Sequence, residues 1–206
     1  TSPVWRMPEN SNQSKLDNYS LHFDGTEFIN IGAVPELNLT SALSISAWVT
    51  FDDFYGTGSI FENNPSNSGP QGYKLFRWNN ELKFQIQGTA IVYNTQTGGT
   101  IPQMVANTWY HILCTWDGST SKMYINNTEV ASGSVSSVTY NGLVMIGKNQ
   151  PYAGTWEGRI SNISVFDYAL SSSQRSYLYN NNASGSTPNP QNPMAIAGPT
   201  PIAYYP

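Results

Sequence analysis

The stretch WYHILCTWDGSTSKMYINNTEVAS, residues 109–132, decides the architecture. Large apolar side chains alternate along Trp109 to Trp116, and the turn pair Asp117-Gly118 follows at once. Lys122 to Ile125 resumes the alternation, Asn126-Asn127 turns the chain again, and Glu129-Val130 starts a third run. Successive strand residues point to opposite faces. A period of two broken by Asp-Gly and Asn-Asn therefore reads as an antiparallel meander with one face buried.

The same reading extends outward in both directions. Tyr19, Leu21 and Phe23 alternate up to Asp24-Gly25, and Phe28 to Ile31 resumes after it. Leu43, Ile45, Ala47 and Val49 share one face, with Ser44, Ser46 and Trp48 on the other. Ser59 to Phe61 and Tyr73 to Trp78 come next, and Asn79-Asn80 turns the chain into Leu82, Phe84 and Ile86. Val92-Tyr93 is a fainter strand signal; Leu143 to Ile146 and Arg159 to Phe166 complete the set. So many short alternating strands specify an all-β chain, a two-sheet antiparallel jelly-roll sandwich. One short C-terminal helix is expected, because Ser171 with Gln174 three residues on forms a capping box and Asn180 to Asn182 ends the segment.

Composition narrows the function. The 206 residues suit a single β-domain. Charged residues are 11% of the chain, against about 25% in typical soluble domains. Ser, Thr, Asn and Gln take their place. A net charge of −4 argues against a nucleic-acid partner. Cys114 is the one cysteine and lies mid-strand, which excludes an internal disulfide and a thiolate metal cluster. No apolar run approaches the roughly 18 residues needed to span a bilayer, so membrane insertion is not expected.

Three segments follow from the pattern: an extended N-terminal arm at 1–18, the β-domain at 19–182, and a Pro-rich C-terminal arm or linker at 183–206. Ile196, Ile202, Tyr204 and Tyr205 are too apolar for an idle tether. Two readings stay open: a linker that tethers the domain to something else, and an arm that adds a strand to the sheet edge of a neighbouring subunit.

Five phrases in order carry a resemblance. They are YSLHFDGTEFINIG at 19–32, LSISAWVTF at 43–51, NTWYHILCTWDGSTSKMYINNTEVASG at 107–133, LVMIGKN at 143–149 and WEGRISNISVFDYALSSSQ at 156–174. Together they resemble the laminin-G-like domains of the concanavalin A-like lectin/glucanase superfamily. The resemblance implies a jelly roll of two curved sheets that binds glycans, proteins or cell surfaces, with a minority of members hydrolysing polysaccharide. AYYP-like segments commonly begin a repeat in proteins of this type, and here AYYP stands at 203–206. The chain thus resembles one unit of a tandem array, similar to structural and fibre proteins of bacteriophages.

Against that background the chemistry is sparse. Superfamily glucanases carry E-x-D-x-x-E along one strand, and this spacing is missing here. Asp52 and Asp53 are adjacent, so on a strand they face opposite ways. No G-x-S-x-G elbow accompanies His22 or His111. An enzyme is not expected. Calcium needs six to eight oxygens, and Asp52, Asp53, Glu62 and Asn63 could supply part of that set if their loops meet. Relatives often carry acidic residues just after the Gly-Arg-Ile step, whereas this chain has Ser161-Asn162, a departure that counts against calcium; no cofactor beyond such an ion is expected. Aromatic side chains at loops suit the amphipathic faces of sugars, which singles out Tyr55, Trp78, Tyr152 and Trp156.

The expectation is a non-catalytic structural or attachment module of a virion or extracellular surface protein. Its partners are neighbouring subunits or other structural proteins, in an oligomer or larger assembly. A carbohydrate-binding lectin that takes a cell-surface glycan is the alternative, and a polysaccharide hydrolase the second alternative.

Overall fold

Every strand pairing among the described residues is antiparallel. The computed structural model describes residues 4–6, 20–64, 71–140, 142–149, 154–180 and 191–206. The strands begin with β1 (Val4–Arg6), β2 (Ser20–Asp24), β3 (Ile29–Gly32), β4 (Leu43–Val49) and β5 (Thr57–Asn64). Next come β6 (Tyr73–Trp78), β7 (Glu81–Ile86), β8 (Thr89–Asn94), β9 (Tyr110–Trp116) and β10 (Thr120–Ile125). β11 (Thr128–Ser134), β12 (Leu143–Ile146), β13 (Glu157–Phe166), α1 (Ser172–Tyr179) and β14 (Ala203–Tyr205) complete the order. One sheet runs β1-β2-β13-β4-β9-β10-β11, with β14 also paired to β13; the other runs β3-β12-β5-β6-β7-β8. This is the expected two-sheet jelly-roll sandwich with one short helix.

The turns form for the reasons the sequence supplies. Asp117 Oδ1 accepts from the Ser119 and Thr120 amides and closes the β9–β10 turn. Asn126 and Asn127 both adopt positive φ, 49° and 64°, the type I′ geometry that matches strand twist in a two-residue hairpin. Ser171 caps α1 in a complete capping box with Gln174.

The core lies between the sheets. Phe23, Ile45, Ala47, Val49, Ile112, Cys114 and Trp116 meet Phe61, Tyr73, Leu75, Leu82, Phe84 and Ile86 there. A second cluster lies on the opposite face of the larger sheet. Leu113, Tyr124 and Phe166 pack there against Leu170, Leu178 and Ile196, so α1 and the C-terminal segment cover this sheet. That cover explains why Ser44 and Ser46, which alternation assigns to an outward face, are buried. Ser44 donates to the Tyr168 carbonyl at 2.7 Å and accepts from the Leu170 amide at 3.0 Å.

The C-terminal segment, residues 191–206, docks on its own chain. β14 adds to β13 of the same chain, with Val165 opposite Ala203, Ser164 opposite Tyr204 and Ile163 opposite Tyr205. The apolar content of Ile196 and Tyr205 that suggested docking is used internally: Ile196 is buried, and Tyr205 packs on the core. Ile202 stays exposed. Of the N-terminal arm, β1 pairs with β2; the remainder of 1–18 lies outside the described residues, as do 183–190 of the C-terminal arm.

Candidate functional site

Register across the smaller sheet places its outward side chains in rows. Neighbours directly opposite on adjacent strands lie about 4.5–5.5 Å apart at Cβ, so each row is a continuous line of side chains. One row is Asn30, Met145, Glu62, Lys74, Gln85 and Ala90, running from β3 to β8. Ser59, Phe76, Lys83 and Val92 make the next, and Thr57, Trp78, Glu81 and Asn94 the third. The intervening residues Tyr73, Leu75, Leu82 and Phe84 are core. The α-helix among the described residues lies on the other sheet.

The centre of this face is polar and dry. Glu62 is buried and accepts from the Ser59 hydroxyl at 2.9 Å. Lys74, its cross-strand neighbour, donates to Asn149 Oδ1 at 3.0 Å and stands 4.5 Å above the Phe76 ring. Burial pushes the Lys74 ammonium below its ordinary range, while the Glu62 carboxylate beside it acts in the opposite sense. The amide Nδ2 of buried Asn149 has no hydrogen-bond partner among the described residues. Toward the third row the face opens: Trp78, Glu81, Lys83, Gln85 and Asn94 are half-buried. The Lys83 ammonium pairs with Glu81 at 2.7 Å.

Trp78 shares its corner with Tyr55. Thr57 stands opposite Trp78, and the Asn79 amide donates to the Gly56 carbonyl at 2.6 Å, tying the loop after β4 to the β6–β7 turn. Gly56 takes φ +83°, a left-handed conformation that favours glycine. Tyr55 is 78% exposed, and its amide donates to Asp53 Oδ1 at 2.9 Å. Beneath the loop, Arg77 is fully buried with one guanidinium nitrogen on Asp53 at 3.1 Å and its plane 5.7 Å from the Trp156 ring. Burial pushes its pKa down and Asp53 opposes that.

Of the four aromatic residues singled out by sequence, Tyr55 and Trp78 stand on adjoining segments, joined by the Asn79–Gly56 hydrogen bond, at one corner. Trp156 does not join them. It is 0% exposed, with its ring 4.9 Å from Phe51, and it is corrected here from ligand contact to core residue. Its neighbours in sequence suggested a loop, but its amide and carbonyl are bonded to the Gly147 carbonyl and the Gly25 amide, which turns the indole inward. Tyr152 lies outside the described residues.

The four calcium candidates do not converge. Asp52 pairs with His22 at 3.0 Å and Asp53 with Arg77. Glu62 faces outward, whereas adjacent Asn63 points to the core face and donates to the Leu37 carbonyl at 2.8 Å. Neighbours on one strand cannot chelate one ion from opposite faces. Among the described residues no three His, Cys, Asp or Glu side chains group as a metal site. Sequence reasoning missed Lys74, Phe76, Lys83 and Gln85. Their signal was present, since Glu81, Lys83 and Gln85 alternate with Leu82, Phe84 and Ile86.

The chain belongs to the concanavalin A-like lectin/glucanases superfamily, whose laminin-G-type family profile matches residues 23–174. A search of the curated proteins finds no match. Three solved structures share the fold. A candidate carbohydrate-binding protein from Bacteroides ovatus aligns with TM-score 0.62 and 16% identity, over 88% of this chain and 50% of that one. The binding domain of Paraclostridial Mosquitocidal Protein 1 gives 0.62 and 18%, over 85% and 45%. The receptor-binding domain of botulinum neurotoxin D gives 0.59 and 15%, over 86% and 47%. The chain spans about half the length of each of these structures.

Proposed function

We propose that this chain is a non-catalytic attachment module of a virion or extracellular surface protein, which recognises glycan on the outer face of its six-stranded sheet. The observation that carries the reading is the half-exposed Trp78 in register with Glu81 and Asn94, with Lys83 and Gln85 on the same face of β7 in the two rows beyond. An indole offers a flat apolar platform for a pyranose face, and flanking amides and charged groups supply hydroxyl partners. The names of the three fold neighbours, a candidate carbohydrate-binding protein and two toxin binding domains, support a binding role. Four carboxylates are engaged separately, Asp52 with His22, Asp53 with Arg77, Glu62 with Ser59 and Glu81 with Lys83. A retaining glycosidase needs two that converge about 5–5.5 Å apart.

A glycan array with the isolated chain tests this reading, run beside an assay for new reducing ends. Array binding without sugar release is expected. Release of reducing ends would return the chain to the hydrolases.

A further inference from the structure

Two strands lie end to end along one edge of β13. Leu21 of β2 stands opposite Ile160, and Tyr205 of β14 stands opposite Ile163. The other edge of β13 is taken by β4 from Ile160 to Phe166, so β2 and β14 share the remaining one. Both are antiparallel to β13 and therefore run the same way, with Pro206 heading towards the start of β2. Between them β13 carries only Ser161 and Asn162, where its register with β4 shifts and Asn162 takes φ +53°. In space this is one interrupted strand; in sequence its halves are about as far apart as the chain allows.

The slot that β14 fills has a defined chemistry. Ile163 faces the core, and opposite it Tyr205 closes an aliphatic cavity of about 190 Å³ lined by Leu21, Ile29, Ile31, Ile146 and Ile160. The Tyr205 ring lies 6.3 Å from Phe61. On the other face the Tyr204 hydroxyl donates to Asn162 Oδ1 at 2.6 Å, and the Ile202 amide donates to the Val165 carbonyl at 2.8 Å. The slot thus reads an apolar-tyrosine-tyrosine strand through backbone pairing, one plug and one hydroxyl. None of these contacts depends on which copy of the chain supplies the strand.

We propose that this slot joins copies of the chain, taking residues 202–206 of a second copy in place of its own. A strand exchanged between identical chains keeps all its contacts, so the exchanged and closed forms differ mainly in effective concentration. Intramolecular closure wins in dilute solution. Exchange takes over where copies are held at near-millimolar local concentration, as in an ordered assembly. The inference is independent of the ligand on the other sheet.

Ser164 and Tyr204 are register partners and give the test. Full-length S164C and Y204C are mixed, refolded together at near-millimolar concentration under reducing conditions, oxidised only once folded, and resolved by non-reducing mass. Cys114 is fully buried. A cross-linked heterodimer in at least tenfold excess over either homodimer is the expected result. The double variant S164C/Y204C, refolded at high dilution, is expected to close within one chain. Heterodimer no more abundant than homodimers, with the double variant still closing, would overturn exchange. A double variant that fails to close would overturn the slot itself.

Discussion

The Nε2 of His111 lies 2.8 Å from the Ser46 hydroxyl in the dry layer between the larger sheet and α1. Trp48 and Tyr179 flank the imidazole, at 5.1 and 5.9 Å between ring centroids, and its Nδ1 has no partner among the described residues. Burial pushes its pKa down to about 3. In the unfolded chain a histidine titrates near 6.5. Between those values the unfolded state binds the extra proton, so stability is complete above about pH 6.5 and falls as pH drops towards 3, by on the order of 4 kcal/mol. Urea midpoints measured from pH 7 to 4 should decline, and His111→Asn should flatten that slope. Asp24 and Asp117 act in a separate window. Thr26 holds the first and the Thr120 amide the second below the ordinary 3.8, so their contribution is lost only as pH falls below that value. An unchanged midpoint between pH 7 and 4.5 would contradict the histidine account.

Gly58 fixes the corner that carries Tyr55 and Trp78. A Cβ there would meet the Trp156 backbone nitrogen at 2.5 Å and the Thr155 carbonyl carbon at 2.6 Å. Backbone cannot give as a side-chain end can, so Gly58→Ala should cost about 3 kcal/mol or lose soluble protein altogether. Chemical denaturation measures it.

Ile196 ties the C-terminal segment to α1 through Leu170 and Leu178. Ile196→Ala should destabilise the chain by about 2–4 kcal/mol, the usual loss for a buried branched side chain. A midpoint equal to wild type would mean that this segment is not docked in solution.

Tyr204→Phe removes the hydroxyl that Asn162 accepts, and leaves the ring in place. The loss should be about 1 kcal/mol, with the Asn162 amide oxygen left short of a donor. Thermal unfolding of the two chains side by side gives the value.

Much of this fold was legible because it is written locally. Leu43, Ile45, Ala47 and Val49 face the core as alternation requires, and the turn pairs 117–118 and 126–127 close the hairpins they announce. The capping box at Ser171 needed only four residues to read. The site was less legible because rows such as Glu62, Lys74 and Gln85 arise from the register of separate strands, which a single strand does not encode. Trp156 looked like a loop aromatic because its inward turn depends on Gly25 and Gly147, distant in sequence. Ser44 and Ser46 looked exposed because the segment that covers them lies far along the chain.

Trp78 decides the functional account. Two-dimensional NMR of the full chain, titrated with the glycan that an array selects, should move the Trp78 indole together with the amides of Lys83, Gln85 and Asn94. Trp78→Ala should weaken binding at least tenfold while the unfolding free energy falls by no more than about 1 kcal/mol. Shifts gathered on the outer face of the eight-stranded sheet, or Trp78→Ala binding as tightly as wild type, would contradict it.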